Sequence, residues 1–96
     1  MYGIVHHFPG MTKEHYDEAT AVAHPEGGAT LPPGQLVHSA GPSADGWVVV
    51  AIYDTQENWE SFRDGVLMPA MARGLSSGPV APPEETTFEV DVHLTA

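Results

Sequence analysis

Apolar and polar positions along this chain change period several times, and each change marks an element. Tyr2 to Phe8 is rich in β-branched and aromatic residues and reads as a first strand, stopped by Pro9-Gly10. Thr12 then has the character of a helix N-cap, with Glu14 in the first turn, and the helix is expected to run to about His24. Tyr16, Ala19 and Ala23 fall on one face at helical spacing, with Val22 beside them. Pro25-Glu26-Gly27-Gly28 should end it, and the stretch to Gly34 reads as a surface loop. Gln35 to Ala40 is a second strand, Gly41 to Gly46 is dense turn sequence, and Trp47 to Tyr53 is a third, nearly all-apolar strand. Asp54 or Thr55 caps a second helix, Gln56 to Arg73, with Trp59, Phe62 and Val66 on one stripe. Pro69 cannot donate to the carbonyl of Gly65, so a bend or break is expected near Met68, and Gly74 suits the position after the helix end. From Thr86 to Leu94, Phe88, Val90, Val92 and Leu94 alternate with Glu89, Asp91 and His93, which predicts a last strand.

The order is β-α-β-β-α-β, so the expected fold is α+β and ferredoxin-like, one domain over residues 1–96. In a four-stranded sheet of this kind the first and third strands are central, and both helices cover one face. Val48, Val50 and Ile52 alternate with Trp47, Val49 and Ala51, which makes the third strand apolar on both faces. The uncovered face needs a partner, and a second copy of the sheet is the economical one, giving a homodimer, a dimeric α+β barrel.

Composition narrows the function. The net charge is −10, with Lys13, Arg63 and Arg73 the fixed cations, so nucleic acid and anionic membrane surfaces are disfavoured partners. The chain has no cysteine, which excludes disulfides and thiolate-metal sites. No apolar run approaches the ~20 residues of a membrane span, and the opening residues lack the charged and apolar regions of a signal peptide, so a cytoplasmic location is expected. Gly74-Leu75-Ser76-Ser77-Gly78 matches G-x-S-x-G, but it follows a helix rather than a strand and reads as a helix stop.

Six histidines against three Lys plus Arg point to proton chemistry. With a symmetric hairpin, Ala40 opposes Trp47 and His38 opposes Val49, placing Leu36, His38, Ala40, Trp47, Val49, Ala51 and Tyr53 on one face. His6 shares a face with Tyr2, Ile4 and Phe8, while His7 points the other way. His38 and His6 are the candidate bases; either can equally be a core or interface histidine satisfied by a neighbour. His15, His24 and His93 read as surface residues. Trp47 and Tyr53 are placed to hold a ring. Trp59 and Phe62 are either helix-to-sheet core or ligand contacts, and Met68 and Met71 read as gap-filling core. Arg63 either anchors an anionic ligand at a pocket mouth or pairs with Glu60. No ligand-spacing signature accompanies the histidines, so no metal is expected.

Three stretches, FPGMTKEHYDEA, LVHSAGPSADGWVVVAIYDTQENWESFRDGVLMPAM and APPEETTFEV, resemble the antibiotic biosynthesis monooxygenase-like group of the dimeric α+β barrel superfamily, and are most similar to small stand-alone members of actinobacterial type. The resemblance implies a homodimer with a pocket in each subunit between sheet and helices. It implies one of several activities: cofactor-free oxidation of phenols to quinones, polyketide cyclisation, lactone isomerisation or haem degradation. His6, His38, Trp47 and Tyr53 match positions where such proteins place pocket residues. Haem-degrading members use an axial histidine on the second helix, and Gln56 to Arg73 contains none. Ala51 stands where an acidic partner for a histidine would be expected. The expected function is therefore a cofactor-free monooxygenase, cyclase or isomerase acting on an aromatic or polyketide-like hydrophobic molecule. The alternative is a non-catalytic ligand carrier or sensor.

Overall fold

The computed structural model describes residues 1–24, 26 and 30–96. The helix stop and loop start expected at Pro25, Gly27, Gly28 and Ala29 lie outside them. The elements are β1 (Tyr2–Pro9), α1 (Lys13–Ala23), β2 (Gln35–Ser43), β3 (Gly46–Tyr53), α2 (Gln56–Phe62), a π-helical turn (Arg63–Leu67), α3 (Met68–Ala72) and β4 (Glu84–Glu89). The four strands form one antiparallel sheet in the order β2-β3-β1-β4, the ferredoxin-like arrangement. Thr12 caps α1 by accepting from the backbone N–H of His15, whose imidazole returns the bond to the Thr12 N–H. Thr55, not Asp54, caps α2, accepting from Asn58 N–H.

The hairpin departs from its expected register. β2 runs through Gly41 and Pro42 to Ser43, leaving only Ala44-Asp45 as the turn, so Ala40 opposes Val49 and His38 opposes Ala51. Pro42 survives in a strand because β2 is an edge and its missing N–H costs no ladder bond there. The displacement is two residues, which preserves the faces. A bulge between Gln35 and Val37 does not: Leu36 turns out to solvent at 51 % exposure, and Gln35 takes its place on the helix-covered face at 8 %.

The second helical region breaks as Pro69 requires. Met68 N–H bonds the carbonyl of Arg63, five residues back, and α3 restarts with Pro69 in its first turn. The extra residue moves the inward stripe, so Val66 is exposed and Leu67 packs against the core instead. Gly74 (φ 78°) closes α3, donating to Met71.

β4 begins at Glu84 and stops at Glu89, earlier than expected at both ends. Glu89 already faces Tyr2, and Val90 N–H makes a last bond to Met1. Val92 and Leu94, further along, stand in solvent.

Helices and sheet enclose Ile4, Ala23, Ala51, Tyr53, Trp59 and Phe62, with a second cluster of Phe8, Met11 and Trp47. The opposite face presents Val5, Val48, Val50 and Ile52, half-buried, with none of the described helices across it. Gly3 lies on that face beneath the Phe88 ring, where an added Cβ would sit 2.4 Å from a ring carbon.

Candidate functional site

Period two along β1, β2 and β3 delivers Ile4, His6, His38, Ala51 and Tyr53 to the face under the helices, and the β2 bulge adds Gln35. Helices α1 and α2 stand off this face and leave a cavity of about 80 Å³, lined mainly by apolar side chains. Four of its polar side chains form one chain of hydrogen bonds. The Tyr16 hydroxyl meets His38 Nε2 at 2.5 Å, His38 Nδ1 meets Gln35 Oε1 at 3.1 Å, and Gln35 Nε2 donates to the Tyr53 hydroxyl at 2.7 Å. Gln35 Oε1 can only accept, so His38 carries its proton on Nδ1 and Nε2 accepts from Tyr16.

Burial holds the His38 pKa below that of a free imidazole, so the ring is neutral at pH 7. His24 is lowered too, by burial and then by the nearby His38 ring, which it meets edge-on at 4.9 Å between centroids. Burial pushes the Tyr53 hydroxyl up to about 12, against the opposing effect of the Gln35 bond.

A larger pocket of about 360 Å³ adjoins the cavity, between α2–α3 and the segment Val80–Pro83. The two share His6, Phe8, Trp59, Leu67 and Met71 as walls. His6 is buried there, edge-on to Trp59, with Nε2 2.7 Å from Glu85 on β4. A histidine–carboxylate pair therefore exists, although the residue expected to supply it, Ala51, is apolar.

The expected site residues fall into four groups. His38, Tyr53 and Phe62 line the inner cavity, and His6 and Trp59 line both pockets. Arg63 borders the outer pocket, but its guanidinium is held by Asp64 at 2.8 and 3.1 Å rather than by Glu60. Trp47 stacks behind Tyr16 at 5.2 Å instead of meeting the cavity, and its Nε1 has no partner among the described residues. Met71 lines both pockets and Met68 the outer one, so neither is simply core filler.

Tyr16, His24, Gln35 and Glu85 were not singled out by sequence. His24 is half-buried in the cavity wall, not a surface residue. The signal for it was present: Tyr16, Thr20 and His24 follow one another at four-residue spacing on α1.

Structural comparison places this geometry among known folds. The chain superposes over its full length on the full length of an arginine-to-serine mutant of MhuD, solved with two manganese protoporphyrin IX molecules per active site, at a TM-score of 0.68 and 14 % identity. It also matches a candidate antibiotic biosynthesis monooxygenase from Chloroflexus aurantiacus J-10-fl at a TM-score of 0.61 and 20 % identity, covering 96 % of this chain and 95 % of that one. The fold is thus the ferredoxin-like α+β fold seen in antibiotic biosynthesis monooxygenase-like structures. No protein-family model and no curated protein sequence matches the chain. Among the described residues no helix is long and apolar enough to cross a membrane.

Proposed function

We propose that this chain is a small-molecule enzyme that takes a hydrophobic, aromatic or polyketide-like substrate and starts its chemistry by removing a proton, with His38 as the final acceptor. The observation that carries this reading is the position of the His38 imidazole on an apolar cavity, bonded to Tyr16 through Nε2 and to Gln35 through Nδ1, where burial lowers its pKa. A base needs an unprotonated nitrogen at working pH, and burial favours that form. The inner cavity has room for a reacting group, and the outer pocket, within the usual range for ligand sites, has room for a ring system. Loss of the proton from a phenol leaves an electron-rich phenolate that can pass an electron to dioxygen. The same first step serves an aldol cyclisation or an isomerisation. A carrier or sensor would have little use for shifted ionisable groups, and His38, His24 and Tyr53 are all shifted, which favours the enzyme.

A porphyrin does not suit these residues. Gln56 to Ala72 has no histidine. His6, on the outer pocket, has its Nε2 engaged by Glu85, and His24 and His38 lie on the small inner cavity. The reading therefore routes no step through haem, and the proposed chemistry draws on no resident cofactor.

An oxygen-uptake and product screen on phenols and polyketide-like ketones tests the proposal. His38→Gln should leave the fold intact and lower turnover by about 10²–10⁴ on any substrate found. Full activity in that variant, or lost stability with turnover preserved, would end the catalytic assignment and move attention to His6.

A further inference from the structure

Both ring nitrogens of His38 are already in use. Nδ1–H is held by Gln35, and Nε2 receives the Tyr16 hydroxyl. A substrate reaching His38 directly would have to break one of these bonds inside an apolar cavity, leaving a polar group without a partner. The Tyr16 oxygen is different. It donates one hydrogen bond and keeps acceptor capacity, and Tyr16 itself lines the cavity.

Resting on the proton-abstraction reading above, we propose that Tyr16 is the catalytic residue that meets the substrate's acidic hydrogen, that His38 acts through it, and that Gln35 is the positioning residue that makes the relay one-directional. In the step, a substrate O–H or activated C–H gives its proton to Tyr16 Oη, and the Tyr16 proton moves to His38 Nε2. The electron pair of the broken bond stays on the substrate. Tyr16 ends as it began, a neutral phenol, now hydrogen-bonded between a substrate anion and an imidazolium. The imidazolium still donates Nδ1–H to Gln35. The cavity has the same net charge before and after, which matters where a lone charge would be poorly solvated.

Gln35 decides the direction. Were His38 protonated on Nε2 instead, it would face the Tyr16 hydroxyl as a donor and could not accept. The Gln35 amide lies with its nitrogen donating to the Tyr53 hydroxyl, which leaves Oε1 facing His38 Nδ1. The bulge that turns Leu36 outward is what brings Gln35 to this position, so a local irregularity of β2 sets the tautomer of a residue three places on.

The test uses the full chain with ¹⁵N-labelled histidine and 2-naphthol as the probe, binding being followed by naphthol fluorescence and the His38 nitrogens by NMR. Free protein should show His38 protonated on Nδ1. Gln35→Met should release that tautomer and Gln35→Glu should restore it, a rescue that a merely structural glutamine would not give. Naphthol should shift Nε2 in the unmodified chain. In Tyr16→Phe it should still bind but leave Nε2 unmoved. A Nε2–H tautomer in the free protein, or a naphthol-induced Nε2 shift that persists in Tyr16→Phe, overturns the relay while leaving His38 as a direct base. Failure of naphthol to bind any variant overturns the pocket reading, and the relay with it.

Discussion

His7, on the uncovered face, holds two carboxylates at once. Nδ1 lies 2.6 Å from Glu84 on β4 and Nε2 lies 2.9 Å from Asp45 in the hairpin turn. The Glu84 bond is the largest influence and raises its pKa above the ordinary 6.5; desolvation opposes it, and the Asp45 bond and charge add to the rise. A raised folded value means that the clamp stabilises the fold fully below 6.5 and that this contribution fades as pH rises through the folded value. His24 and His38, both lowered, act in the opposite sense, their contribution being lost as the pH falls below 6.5. The difference between the unmodified chain and His7→Gln isolates the clamp. Its melting-temperature advantage should be larger at about pH 5.5 than at about pH 8.5, and an equal gap at both would refute the clamp. At this scale the sequence announced what period two controls. The faces of His6, His7 and His38 follow from alternation alone and survive a two-residue error in hairpin register. Gln35 and Glu85 were not legible. One depends on a bulge, and the other on which residue of β4 faces His6, neither of which has a local signal.

Among the elements, the cap at Thr12, the break imposed by Pro69 and the strand order could be read directly, because each rests on short-range chemistry or a known topology, while the second cap was narrowed only to Asp54 or Thr55. The exact reach of β2 and β4 could not. β2 continues through Gly41-Pro42 because it is an edge, whereas β4 closes at Glu89 although the alternation of apolar and polar residues runs on to Leu94. The π-turn likewise rewrites the helix downstream: one added residue rotates the following side chains, so Leu67 and Met71, not Val66, wall the pocket. The G-x-S-x-G stretch gains a clear structural role. Glu18 on α1 accepts the N–H groups of Ser76 and Ser77 and the Ser77 hydroxyl at 2.6, 2.9 and 2.8 Å, and these bonds hold its carboxyl down at about 2. They tether the segment that carries Val80–Pro83 over the outer pocket. Glu18→Ala should speed amide exchange at Ser76 and Ser77 several-fold while β1 and β3 keep their protection. In the unmodified chain the tether is present above pH 4.5 and should weaken as the pH falls toward 2, the sense expected of a lowered carboxyl. Unchanged exchange in Glu18→Ala would dismiss the tether.

The molecule as a whole has two unlike faces. One is closed by helices and holds both pockets. The other is a sheet of valine and isoleucine side chains that we expect a second copy to cover, giving twice the 10.2 kDa chain mass by light scattering at micromolar concentration. A monomer mass there would defeat that expectation. None of Val5, Val48, Val50 and Ile52 touches either pocket, and every lining side chain comes from the helix-covered half. Association and chemistry are therefore separable in this fold. An aspartate at Val50 should split the pair yet leave each half able to bind its ligand. Occupancy should follow a simple one-site curve, indifferent to protein concentration, because the side chains that line the pockets lie away from the face expected to pair.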